Sequence, residues 1–142
     1  MIVLDTNVVS ELMRRAPEPR VVIWIDRFSV SDVLVTAVTA AELLYGVARL
    51  PDGRRKRELH RAIDRLLTVE FEGQILPFDA AAARHYADIV ASRERAGQPI
   101  DLADAQIAAI CRTWSAGLAT RNMDDFVGTG VDAVNPWDAG PR

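Results

Sequence analysis

The sequence is poor in the residues that would open several functional classes. It has one cysteine, Cys111, in 142 residues. A lone thiol cannot close an intramolecular disulfide, which fits a reducing cytosol. Its two histidines, His60 and His85, are far apart and have no metal-ligand spacing with Cys111. A zinc site is therefore not expected. No apolar run approaches the roughly 20 residues of a membrane helix. Asp5 comes after three apolar residues, so no signal peptide is expected and the chain reads as cytoplasmic. There is no G-x-x-x-x-G-K-[ST] loop and no G-x-G-x-x-G turn to cradle phosphates. Basic charge is not in excess either, since the formal net charge is −3. Nucleic-acid binders usually carry a basic surface, so any such function must rest on a local cluster.

What is present is ordinary globular material, 49% hydrophobic and 26% charged. The length fits one domain with a full core. Met1-Ile-Val-Leu4 and Val33-Leu-Val-Thr36 are continuous apolar runs, the pattern of strands buried on both faces. Ile75-Leu-Pro-Phe78 fits a third strand, with Pro77 arguing against a central position. Leu118-Ala-Thr120 and Val131 to Val134 complete the set. Helical patterns lie between them: Val8 to Met13 capped by Asp5 or Thr6, Val21 to Phe28, Thr39 to about Leu50, a charged helix to about Leu67, and Asp79 to about Arg95. Thr39-Ala-Ala-Glu42 has the form of a capping box. Gly117 is the expected C′ glycine of the helix before it. Alternating strands and helices predict an α/β fold with a mostly parallel sheet covered on both faces. Ligands in such folds bind beyond the carboxyl ends of the strands.

The stretch Ile100 to Arg112 stands out. It reads as a helix, apolar nearly all round, and such helices are usually buried. It opens with Asp101, a candidate cap, and Asp104 in its first turn. A carboxylate against a buried element needs a partner. Asp5 ends a strand, Glu42 lies in the first turn of a helix after a strand, and Asn122 follows another strand. These positions fall at one sheet edge. Asp104 does not follow from the spacing, because its helix follows a helix. Each acid also has a local explanation as a cap or as a charge favoured by the helix dipole.

Five segments in this order carry a resemblance: Met1-Ile-Val-Leu-Asp-Thr-Asn-Val-Val-Ser, Thr39-Ala-Ala-Glu-Leu-Leu-Tyr-Gly, Asp104-Ala-Gln-Ile-Ala-Ala, Ala119-Thr-Arg-Asn-Met-Asp-Asp-Phe and Val134-Asn-Pro-Trp. Together they resemble the PIN-domain proteins of the VapC toxin type over nearly the whole chain. The resemblance implies a three-layer α/β/α sandwich, with residues 1–138 as one PIN domain and 139–142 as a short C-terminal tail. It implies a Mg²⁺-dependent endoribonuclease, the toxin of a type II toxin–antitoxin pair, with RNA as substrate, a VapB-type antitoxin as partner and a homodimer as assembly. The family's acidic positions fall on Asp5, Glu42 and Asp104, which are the expected metal ligands. Its fourth position, often acidic, falls on Asn122, so Asp5, Glu42, Asp104 and Asn122 form the expected catalytic set. Asp125 could supply the charge that Asn122 lacks, or could simply open a short helix. Thr6, Asn7 and Thr120 could hydrogen-bond the carboxylates or the metal's waters.

Oxygen ligands select hard cations, Mg²⁺ or Mn²⁺. Without a cation, two carboxylates about 5 Å apart repel by roughly 3 kcal/mol at an effective dielectric near 20. The segment 49–65 carries a local excess of four positive charges, through Arg49, Arg54, Arg55, Lys56, Arg57, Arg61 and Arg65. It is either a surface for RNA phosphates or a solvated helix face with i,i+4 pairs. Apolar surface along 7–13 and 39–50 is the expected place for a partner helix. Trp24, Trp114 and Trp137 are expected to pack rather than stack on bases. Two other classes remain: a PIN-like binding module without turnover, and a small phosphatase with Asp5 as nucleophile.

Overall fold

The computed structural model describes residues 1–139; of the expected tail, 140–142 lie outside the described residues. Five parallel strands, β1 (Ile2–Leu4), β2 (Val33–Thr36), β3 (Ile75–Leu76), β4 (Gly117–Ala119) and β5 (Ala133–Val134), form one sheet in the order β3-β2-β1-β4-β5. Around it lie α1 (Thr6–Leu12), α2 (Pro19–Ile25), α3 (Ala37–Ala48), α4 (Arg54–Arg65), α5 (Ala80–Arg95) and α6 (Leu102–Trp114).

Strand side chains alternate between faces, and each face here has its own core. Ile2, Leu4, Val33 and Val35 pack with Val8, Val9, Val21, Trp24, Leu43, Val47 and Ile63, so α1 to α4 cover one face. Val3, Leu34 and Leu118 pack with Ala82, Ile89, Ile107 and Ile110, so α5 and α6 cover the other. This is the expected three-layer sandwich. It explains why the central strands β1, β2 and β4 are almost wholly apolar: they are buried on both sides. The expected helix at 100–112 is the most buried of the six, with Ile107 through Cys111 fully enclosed. Shortening Ile110 to Ala there would cost about 2–5 kcal/mol.

Several boundaries differ, for local reasons. α2 begins two residues early because Pro19 suits the first helical turn, where its missing N–H is no loss. β3 stops before Pro77 and lies at the sheet edge. The Thr39–Glu42 capping box does not form. Thr36, at the end of β2, caps α3 instead, its hydroxyl accepting from the Thr39 N–H at 3.1 Å. Glu42 is thereby in the second turn and free of capping. Asp101 holds the N-cap position of α6 but its side chain accepts no capping bond. The left-handed residue that ends α6 is Ser115, at φ 51°, rather than Gly117. Gly117 opens β4, where a Cβ would meet the Ile2 side chain at 3.2 Å.

Candidate active site

Asp5 lies where β1 ends and α1 begins, in the middle of the sheet's carboxyl edge. It is almost wholly buried, at 5% exposure. One carboxylate oxygen accepts from the Thr6 N–H at 2.8 Å. The other accepts from the Thr120 hydroxyl at 2.7 Å and from the Asn7 amide at 3.4 Å. Thr120 follows β4, the strand beside β1, so the sheet register itself brings this donor to Asp5. Burial pushes the Asp5 carboxyl up from its ordinary value. The bonds from Thr120 and Thr6 pull it back, while the charges of Glu42 and Asp125 raise it.

Glu42 reaches the same edge from α3. Its carboxylate accepts from the Thr6 hydroxyl at 2.6 Å. That hydroxyl also lies 3.1 Å from the Thr39 hydroxyl. Thr39 is therefore a buried brace between α1 and α3 rather than a cap.

Asp104 is the residue that spacing could not place. The structure brings α6 to the carboxyl edge through a clamp behind it. Arg93, buried near the end of α5, donates from Nε to the Gln98 carbonyl at 2.6 Å and from Nη2 to the Pro99 carbonyl at 3.5 Å. Its Nη1 donates to the carbonyls of Asp125 at 3.0 Å and Val127 at 2.7 Å. One guanidinium thus joins the segment that leads into α6 to the 3₁₀ turn Met123–Phe126. The two segments so joined carry Asp104 and Asp125. Desolvation pushes the Asp104 carboxyl up to about 6, with the charges of Asp5, Asp125, Asp101 and Glu42 adding to it. No hydrogen bond or ion pair among the described residues offsets this.

Asp5, Glu42 and Asp104 therefore share one electrostatic neighbourhood, and Asp125 and Asp101 join it. Asp125 is the contributor the sequence left open; Asp101 was expected only to cap. Asn122 lies at the rim, its backbone N–H donating to the Thr120 hydroxyl at 3.0 Å. Its amide makes no side-chain hydrogen bond among the described residues. No three acidic, histidine or cysteine side chains among the described residues close into a ready ligand set. Mg²⁺ keeps several waters and is held by one or two direct carboxylates, so it does not require three side chains to converge. The donors are all oxygen and uniformly negative, so a hard cation is the group they fit.

Away from the acids, α4 divides its charges. Arg54 pairs with Glu58 and Lys56 with Asp52, which is the solvated-face pattern. Arg55, Arg57 and Arg61 stay exposed and outside any ion pair among the described residues. Both readings of this face thus find residues to support them. Trp24 packs against Phe28, as expected, with ring centroids 4.9 Å apart. Among the described residues, no helix is long and apolar enough to cross a membrane.

A sandwich with carboxylates at the carboxyl edge of its parallel sheet is the arrangement of the PIN domain, whose family model matches residues 2–129, and the chain belongs to that family. Within it the chain stands among the toxins of the VapC type. It is 38% identical over 138 residues to a VapC ribonuclease of Sinorhizobium fredii, covering 97% of this chain and 99% of that protein. It is 42% identical over 137 residues to toxin FitB of Neisseria gonorrhoeae, covering 96% and 99%. The solved structure of FitAcB from Neisseria gonorrhoeae matches with a TM-score of 0.91 and 42% identity, over 98% of this chain and 100% of that one.

Proposed function

We propose that the chain is a Mg²⁺-dependent endoribonuclease and the toxin of a type II toxin–antitoxin pair, acting in the cytoplasm. The observation that carries this reading is the convergence of Asp5, Glu42, Asp104 and Asp125 at the carboxyl edge of the sheet, close enough for their charges to raise the carboxyls of Asp5 and Asp104. Such a cluster is costly unless a bound cation completes it. Asp5 and Asp104 are assigned to hold Mg²⁺. When bound, the ion would supply positive charge against a phosphodiester and a more acidic water. Glu42 keeps one oxygen on Thr6 and leaves the other for the attacking water. Asn122 offers a neutral amide to orient a water or a phosphate oxygen. Thr120, Thr6 and Asn7 hold the carboxylates in place. The name of the Sinorhizobium relative, a ribonuclease, supports RNA as substrate.

The test is cleavage of total cellular RNA with Mg²⁺ and with a chelator. Wild type should cut only with the metal, and Asp5→Asn and Asp104→Asn should not cut. Undiminished Mg²⁺-dependent cutting by either variant defeats the assignment.

The same proposal includes an antitoxin partner and a homodimer. A neighbour 40% identical to this chain was solved as FitAB bound to a DNA fragment. Here an apolar groove of about 710 Å³ between α1, α2 and α4 is lined by Val9, Leu12, Met13, Ile25, Phe28 and Leu66, among others. It uses the expected surface of α1. α3 does not line it, though Leu44 and Tyr45 there are exposed. For RNA, the face of α4 with Arg55, Arg57 and Arg61 is the proposed approach. Reversing Arg57 and Arg61 to Glu should weaken RNA binding and flatten its salt dependence.

A further inference from the structure

Four carboxylates at one edge repel the phosphates they are proposed to cut. A substrate-binding cation at that same edge would resolve the conflict, and one is built there. Arg121 follows β4 and Trp137 follows β5, so both stand beyond the carboxyl ends of neighbouring parallel strands. The Arg121 guanidinium lies over the Trp137 ring, 4.7 Å from its centroid. Its backbone is tied to the acid cluster in two ways. The Arg121 N–H donates to the Asn7 side chain at 3.2 Å, and the preceding residue, Thr120, holds Asp5. Trp137 is itself anchored: its N–H donates to the Asn135 side chain at 2.9 Å, and its carbonyl accepts from Arg20 at 3.2 Å. Arg121 is nevertheless exposed and takes part in no ion pair among the described residues.

We infer that the Arg121–Trp137 stack is a nucleotide subsite, which holds the base and phosphate next to the scissile bond of single-stranded RNA. The inference rests on the nuclease reading above and adds to it. An arginine laid on an indole is fixed in plane at little entropic cost. The guanidinium carbon lies 4.7 Å from the Trp137 centroid on an exposed side chain, so a base can reach it and stack, a common mode of single-strand recognition. The N–H edge remains for a phosphate oxygen. A lysine could supply the charge but not the plane.

The test measures binding of a short unstructured RNA to the full chain in an Asp5→Asn background, with Arg121→Ala, Arg121→Lys and Trp137→Phe added. The same RNA backbone without bases serves as a second probe, and a poly-Glu peptide as a third. Arg121→Ala should lose about tenfold in RNA affinity, and its salt slope should fall by about one. Arg121→Lys should keep the slope yet lose most of the affinity, and this lysine deficit should vanish on the baseless strand. With Asp5 restored, Arg121→Lys should raise KM more than it lowers kcat. If Arg121→Ala and Arg121→Lys both bind RNA within about twofold of the parent, the subsite is refuted while the nuclease reading stands on the cleavage assay. An equal loss on poly-Glu marks a generic cation and refutes it too. If the parent binds no RNA, both readings fall.

Discussion

The two acidic arms of the site are built in opposite ways. Asp5 is braced: Thr6, Asn7 and Thr120 all donate to it, and every one of these donors comes from β1–α1 or from the neighbouring strand's end. Asp104 accepts no hydrogen bond among the described residues, and its place is set from behind by Arg93 through backbone carbonyls. The first arm is orientation without much freedom. The second is charge without relief, and its carboxyl rises to about 6. A site built this way has a fixed anchor and a responsive wall. The cation proposed for it should stabilise mainly the second.

Breaking each arm in turn should separate these roles. The largest effect is expected from Asp104→Asn, which removes a proposed ligand and should lower RNA cleavage on the order of 10³-fold, read as kcat/KM. Next comes Arg93→Met. It removes four carbonyl partners' donor from a buried position, so about 3 kcal/mol of stability should be lost in urea unfolding. Amide exchange should quicken first around 98–105 and 123–127, leaving the Asp5 arm protected. Thr120→Val cuts into the anchored arm instead. The Asp5 carboxyl should rise further without that donor, and the Mg²⁺ needed for half-maximal activity should increase about tenfold.

The smallest effect sharpens the comparison by pH. Asp104 has a folded value raised above its ordinary 3.8, so the fold favours its protonated form. The associated stability is complete below about pH 4 and is lost as the pH rises through about 6. Metal-free protein should therefore melt lower at about pH 8 than at about pH 5. Asp104→Asn should abolish most of that difference, gaining about 1–2 kcal/mol at the higher pH. If Mg²⁺ fails to raise the melting temperature of wild type more than that of Asp104→Asn, the responsive-wall picture is wrong.

Much of the architecture was legible because its causes are local. Apolar runs at 1–4 and 33–36 mark strands covered on both sides, and Pro77 rightly argued against a central strand. Asp79 caps its helix as its position implies, accepting from the Ala82 N–H. The misreadings have one cause: two local devices competing for one job. Thr36 and Thr39 both match a cap, and the hydroxyl at the strand end won because it lies where the chain turns. Ser115 took the left-handed turn that Gly117 was expected to take, since the chain must enter β4 by Gly117. Asp104 and Asp125 were illegible for another reason. Their approach to Asp5 depends on Arg93, which is 32 residues from Asp125 in the chain. Only the family resemblance carried Asp104 to the site in advance. A basic residue among helical charges at the end of α5 gave no sign that it would be buried.

The outer strands of the sheet, β3 and β5, are two residues each. Pro77, directly after β3, withholds the next amide from that border. Another polypeptide seeking to add itself there would find almost no ladder to copy. Brevity at both borders therefore leaves a second copy of this chain little edge on which to build a fibril.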